Sequence, residues 1–500
     1  MAAIVETRLG KVSGEELADH TRFRGIPYAA PPVGELRFRA PRPAAPWAGV
    51  REARAFGHAA PQNPSFLPGM ESGDQSEDCL YLNVYTPRAD AARRPVLFWI
   101  HGGGFTGGSG GQALYDGGRL AARGDVVVVT INYRLGALGY TNLERLDANL
   151  GQQDQIAALR FVRENIAAFG GDPDRITIFG ESAGGMAVST LLAMPAARGL
   201  FRGAIAQSGA AHHVHSRESA ARVAIALLAE LGLGPNDVGR LRDVPVPALL
   251  AAQAKLLVET ARGGALLAFA PALDADTLPR HPLEAVRDGT ARDVALLVGA
   301  NRDEIKLFRM GVAASAELDA AGLAKRVRGG LRAHGADESH AERLIETYRT
   351  ARAGRASTEP GELLDALDSD RTFRVPAIRL AEAQAPHQPR TYEYFFTWSS
   401  PARRGTLGAC HALELPFVFG TLDAPTMDKF AGKGPEAEAL SARMMDAWIA
   451  FARSGEPGHA ALPAWPGYDT AERATLIFDR QCELANAPLD AERAAWEGVI

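Results

Sequence analysis

A serine becomes a nucleophile when its hydroxyl is exposed, a base takes its proton and donors stabilise the oxyanion that forms. The pentapeptide Gly180-Glu181-Ser182-Ala183-Gly184 fits G-x-S-x-G, a turn tight enough to admit only glycine beside the serine. In a chain with 52 glycines the bare pattern also arises by chance, and it recurs at Gly107-Gly108-Ser109-Gly110-Gly111. Context separates the two. Ser182 lies directly between a predicted strand and a predicted helix, as a nucleophile elbow requires, whereas Ser109 lies inside a loose glycine loop. For the base, twelve histidines compete. In a fold of this kind the acid follows the serine in the chain and the histidine follows the acid, each on a loop after a strand. Glu304, beside Asp303, follows a strand at 294–298, and His411 follows one at 391–398, so these two fall where acid and base belong. The denser cluster His212, His213 and His215 reads as surface or pocket wall rather than as a metal site.

Oxyanion donors are expected from the run Gly102, Gly103 and Gly104, whose consecutive N–H groups can point at one place after a strand, and from Ala183, whose N–H opens a helix. The same run fits G-x-G-x-x-G, the dinucleotide fingerprint. That reading needs a helix at the third glycine and an acidic residue ending the next strand. Here glycines continue to Gly111 and the next strand ends in Asn132-Tyr133-Arg134, so no nucleotide cofactor is expected.

The elements that must position these groups alternate. Strands are read at 96–100, 126–131 and 176–179, and helices at 155–169 and 186–194, the first stopped by Gly170 and Gly171. This rhythm belongs to the α/β class, with a mostly parallel sheet covered on both faces. The proline-rich stretch 22–47 is expected to wrap the surface as extended chain. Helical patterns at about 219–261, 314–351 and 362–385 read as insertions covering one end of a single domain that spans 1–500.

Bulk properties narrow the function. Lysine plus arginine number 54 against 59 acidic residues, a net charge of −5, which points to neither nucleic acid nor an anionic membrane as partner. Three widely spaced cysteines, Cys79, Cys410 and Cys482, fit neither a disulfide framework nor a zinc site, and no other metal constellation is read. No basic-then-apolar segment opens the chain, and no apolar run is long enough to span a bilayer, so the cytoplasm is the expected address.

Taken with their flanks, these residues resemble the type B carboxylesterases, over nearly the whole chain. The stretch from Phe169 through Ser182 to Gly185 is similar to that family's serine signature. The stretch from Glu77 to Val84 is similar to its second signature, and Asn132 to Gly139, Gln207-Ser208-Gly209 and Cys410-His411 to Gly420 match as well. The resemblance implies the α/β-hydrolase fold, a Ser182–Glu304–His411 triad, an oxyanion hole from Gly103, Gly104 and Ala183, and hydrolysis of small carboxylic esters without a cofactor or metal. It further implies support of the triad carboxylate by Ser208, and ion pairs Arg37–Glu77 and Arg134–Asp154. Two departures stand out. Secreted members pair the Cys79 position with a nearby cysteine, and no other cysteine precedes Cys410 here. Residues 59–78 carry no tryptophan, so the choline recognition of cholinesterases is not expected. An amidase or carbamate hydrolase using the same triad is the alternative, and a non-catalytic binding module on this fold is the remote one.

Overall fold

The computed structural model of the chain describes residues 2–65, 71–143, 145–264, 266–310 and 318–500. Short apolar runs rich in Val, Ile, Leu and Phe form its sheet. In chain order the strands are β1 (Ala2–Thr7), β2 (Gly10–Glu16), β3 (Thr21–Pro27), β4 (Val50–Glu52), β5 (Tyr81–Thr86), β6 (Arg94–Ile100) and β7 (Val127–Ile131). They continue as β8 (Gly171–Glu181), β9 (Gly203–Gln207), β10 (Ala295–Asn301), β11 (Thr391–Phe396), β12 (Ala474–Phe478) and β13 (Glu483–Asn486). Their spatial order is β1-β2-β3-β5-β7-β6-β8-β9-β10-β11-β12-β13, with β4 attached to β2. From β7 to β12 every neighbouring pair is parallel, and the flanking pairs β5–β7 and β12–β13 are antiparallel.

Alternation along each parallel strand feeds two cores. Val96, Phe98 and Ile100 of β6 pack on one face with Val127, Val129, Ile176, Ile178, Leu296 and Val298. Leu97 and Trp99 point to the other, against Val128, Phe179, Leu297 and the helix Pro435–Ser454 through Trp448 and Phe451. A sheet apolar on both faces must be covered on both, which is what parallel strands joined by crossover helices provide.

The expected elements appear with shifted ends. The strand read at 176–179 extends over Gly171–Glu181, and the helix read at 155–169 is Leu150–Asn165 followed by a 3-10 turn, Ile166–Phe169. One expectation is corrected. Residues 21–27 are not surface wrapping but β3, with Phe23 and Ile26 wholly buried, because the prolines begin only at Pro27 and leave the earlier N–H groups free to pair. The three helical stretches contain Arg217–Glu230 and Val246–Arg262, then Ala320–Ala333 and Ala341–Arg352, then Pro360–Ser369 and Val375–Gln384. Positions 314–317 of the second stretch lie outside the described residues. The ion pairs Arg37–Glu77 (2.6 Å) and Arg134–Asp154 (2.7 Å) both form. All three cysteines are free thiols, and no helix among the described residues is long and apolar enough to cross a membrane.

Candidate active site

Ser182 sits between β8 and the helix Ala183–Leu191 with φ 56° and ψ −125°, a strained conformation for a residue with a side chain. The turn is over-determined. Ser182 N–H donates to Gln207 O at 2.9 Å, and Ser182 O accepts from Met186 N–H at 2.8 Å. A Cβ on Gly184 would lie 2.0 Å from Ile100 O, so only glycine lets the helix start this close to β6. Glu181 and Ala183 are buried while Ser182 is half-buried, so the turn presents the serine and hides its neighbours. Ser109 is different: its buried hydroxyl donates to Asn132 Oδ1 at 3.1 Å and stitches the glycine loop to the end of β7.

That loop runs from the end of β6 across the elbow. A Cβ on Gly102 would lie 3.1 Å from Ser182 Cβ, and Gly103, at φ 110°, passes so near Gly107 O that a Cβ would meet it at 2.2 Å. Gly103 and Gly104 therefore hold conformations that leave their N–H groups without acceptors among the described residues, beside Ala183 at the positive end of its helix.

Beyond β10, Glu304 is wholly buried. Its Oε1 accepts from Asn301 N–H at 2.7 Å, and its Oε2 lies 2.6 Å from His411 Nδ1. That contact fixes Nδ1 as a protonated nitrogen and leaves Nε2 as the nitrogen that can gain or lose a proton. Asp303 is turned away, accepting from Ala409 N–H at 2.8 Å and pairing with Arg302 and Lys306. The structure does not join His411 Nε2 to Ser182 Oγ by a hydrogen bond; Nε2 instead faces Glu181 Oε1 at 3.1 Å. Burial resists charge on this imidazole, but Glu181 and Glu304 outweigh it and hold His411 above the usual histidine range. Burial likewise lifts the Glu181 carboxyl well above its ordinary value, against the pull of His411. Two phenyl rings rest on the imidazole, Phe373 at 4.7 Å and Phe308 at 4.9 Å between centroids.

The expected contact from Ser208 to the Glu304 carboxylate is absent. Ser208 is buried and its N–H donates to Gly299 O, but its hydroxyl has no hydrogen-bond partner among the described residues, and both Glu304 oxygens are already taken by Asn301 and His411. Four residues at the site went unread in the sequence: Glu181, Phe308, Phe373 and Glu414. Buried Glu414 accepts from Asn301 Nδ2 at 2.6 Å and Gln207 Nε2 at 3.0 Å. Glu181 occupies the variable position of G-x-S-x-G, where no pattern marks it. The three-residue spacing from His411 was the only available hint of Glu414.

Sheet order, elbow and loop placement define an α/β-hydrolase. The chain matches the model of the Carboxylesterase family over residues 1–496, and it belongs to that family, the type B carboxylesterases. It is 41% identical to the para-nitrobenzyl esterase of Bacillus subtilis (strain 168) over 98% of this chain and 97% of that one. It is 36% identical to a human cocaine esterase over 90% and 82% of the two chains. Among solved structures, a para-nitrobenzyl esterase superposes with a TM-score of 0.89 at 40% identity, covering 99% of each chain. A Geobacillus stearothermophilus carboxylesterase does so at 0.88 and 42%, again over 99% of each chain. The protein is a carboxylic ester hydrolase.

Proposed function

We propose that the chain hydrolyses small carboxylic esters through an acyl-enzyme on Ser182, with His411 as general base and acid and Glu304 as its orienting carboxylate. His411 Nε2 takes the Ser182 proton as Oγ attacks the carbonyl carbon, then returns it to the departing alcohol; water repeats the sequence and releases the acid. The N–H groups of Gly103, Gly104 and Ala183 receive the carbonyl oxygen as it becomes negative, each worth about 3–4 kcal/mol at the transition state. The observation that carries this reading is the 2.6 Å contact between His411 Nδ1 and wholly buried Glu304, beside a serine held in a strained turn. Proton transfer from Ser182 requires the imidazole to turn from Glu181 toward Oγ. Catalytic hydrogen bonds commonly tighten only when substrate binds. By likeness to the para-nitrobenzyl esterases, aryl and aralkyl esters are the substrates to try first. Free thiols suit a reducing compartment, in keeping with the cytoplasm.

The test is labelling by a fluorophosphonate followed by peptide mass mapping. Label on Ser182, with no label and no ester turnover in folded Ser182→Ala, is expected. Label on Ser109, or normal turnover by Ser182→Ala, overturns the assignment.

A further inference from the structure

Helices Pro360–Ser369 and Val375–Gln384 run on through a π-helical turn, Asp370–Arg374, in which Val375 N–H reaches back to Asp370 O. Pro376 accounts for the interruption. It has no N–H, and its ring crowds the carbonyl four residues earlier, that of Thr372, so a regular α-turn cannot close there. The freed Thr372 O is not left unpaired, because His213 Nε2 donates to it at 3.1 Å. The turn is also pinned from below. Asp370 accepts from Arg374 Nε and Nη2, both at 2.6 Å, and from the Tyr348 hydroxyl, which accepts in turn from Trp496 Nε1 at 2.7 Å. The product of this arrangement is the placement of Phe373. Its ring is wholly buried and lies 4.7 Å from that of His411 at 38°. Phe308, the other ring on the imidazole, is 42% exposed, so Phe373 is the fixed wall of the two.

We propose that the π-turn Asp370–Arg374 is a positioning element for the base, and that Phe373 is the positioning residue through which it acts. This rests on His411 being the base. The catalytic cycle asks the imidazole to stay on Glu304 through Nδ1 while Nε2 moves between Glu181 and Ser182. A ring anchored at one edge alone can swing out of both contacts; a rigid aromatic face beside it limits that swing. The π-turn supplies the face because it inserts the extra residue that rotates Phe373 inward, and Pro376 and His213 hold that geometry against relaxation to an ordinary helix.

The experiment compares Phe373→Leu, Pro376→Ala and a control, Leu364→Ala, whose buried side chain lies on the same helix in a separate core with Leu323 and Tyr348. Each full-length variant is measured for thermal stability, for kcat and KM on an aryl ester, and for the downfield proton resonance of His411 Nδ1–H. Phe373→Leu is expected to lose roughly ten- to a hundredfold in kcat with little change in KM, and to broaden that resonance. Pro376→Ala restores an N–H that competes with His213 for Thr372 O; it is expected to lower kcat and broaden the resonance while stability holds or rises. Leu364→Ala is expected to lose stability and keep both kcat and the resonance. Wild-type turnover and a sharp resonance in either of the first two variants overturn the proposal, as does a loss that only tracks the folded fraction. If wild-type Ser182 resists the fluorophosphonate, the triad reading itself falls; normal labelling beside unaffected variants sinks this inference alone.

Discussion

Asp303 and Glu304 are neighbours with the same charge, and their surroundings divide the work between them. Asp303 is held by Ala409 N–H, Arg302 and Lys306; burial works against its charge, but the two cations outweigh it and keep the carboxyl below its ordinary value. Among the described residues Glu304 pairs with no lysine or arginine; its carboxylate takes Asn301 N–H and the imidazole. Glu304→Gln is therefore expected to cost on the order of 10⁴ in kcat by reversing the His411 tautomer. Asp303→Asn is expected to cost about 1–3 kcal/mol of stability with turnover nearly intact. A dead but folded Asp303→Asn beside an active Glu304→Gln transfers the acid to Asp303. Glu181 gives a second prediction at this scale. With His411 as the proposed base, the acid limb of kcat/KM reports its protonation in the free enzyme, since only a neutral imidazole can take the serine proton. A carboxylate 3.1 Å from Nε2 stabilises the protonated form and so moves that limb to higher pH. Glu181→Gln should shift it toward lower pH. Profiles measured from pH 5 to 10 that superimpose would show that Glu181 does not govern the base.

At the scale of elements, the elbow and the glycine loop depend on backbone approach, which glycine substitutions test directly. Gly184→Ala places a Cβ 2.0 Å from Ile100 O, and neither β6 nor the helix can yield, so the variant is expected to lose several kcal/mol and to accumulate as aggregate. Gly329, inside helix Ala320–Ala333, has nothing within 4 Å of the same built atom and no positive φ. Gly329→Ala is expected to stabilise by up to about 1 kcal/mol in urea unfolding. Equal stability of the two variants would mean that the elbow tolerates displacement. The same contrast explains what could be read in advance. The elbow was legible because its requirements are local: strand, glycine, serine, glycine and helix lie within a dozen residues. Glu304 and His411, the proposed acid and base, stood out only through their order along the chain. The contact of Phe373 with His411 joins segments far apart in sequence, and no periodicity encodes it. Pro376 did carry a signal, a proline inside a helical pattern read straight through at 362–385. Residues 22–27 were misread for the opposite reason: the prolines that follow them concealed the strand Thr21–Pro27.

At the scale of the whole molecule, a 500-residue chain buries enough apolar surface to trap ionisable groups well away from the chemistry. Glu393 on β11 is such a group. It is 5% exposed, and among the described residues its carboxyl's one hydrogen bond comes from Thr475 Oγ1 at 3.3 Å. Burial raises its carboxyl from 4.5 to about 8, and Arg374, engaged with Asp370, only partly opposes this. The sign of the consequence follows from proton counting. Between pH 4.5 and about 8 the folded state keeps a proton on Glu393 that the unfolded chain has released, so its contribution to stability is complete below 4.5 and is lost progressively as pH rises through 8. The full loss is roughly 5 kcal/mol. Glutamine has the same shape, can still accept from Thr475 and does not titrate. Glu393→Gln should therefore gain on the wild type as pH rises from 5 to 9, by a few kcal/mol in urea unfolding, while ester turnover of the folded enzyme is unchanged, since the site lies at β8, β10 and the loop after β11. A difference between the two proteins that stays constant across that range would mean that Glu393 ionises in the folded state as it does in the unfolded chain.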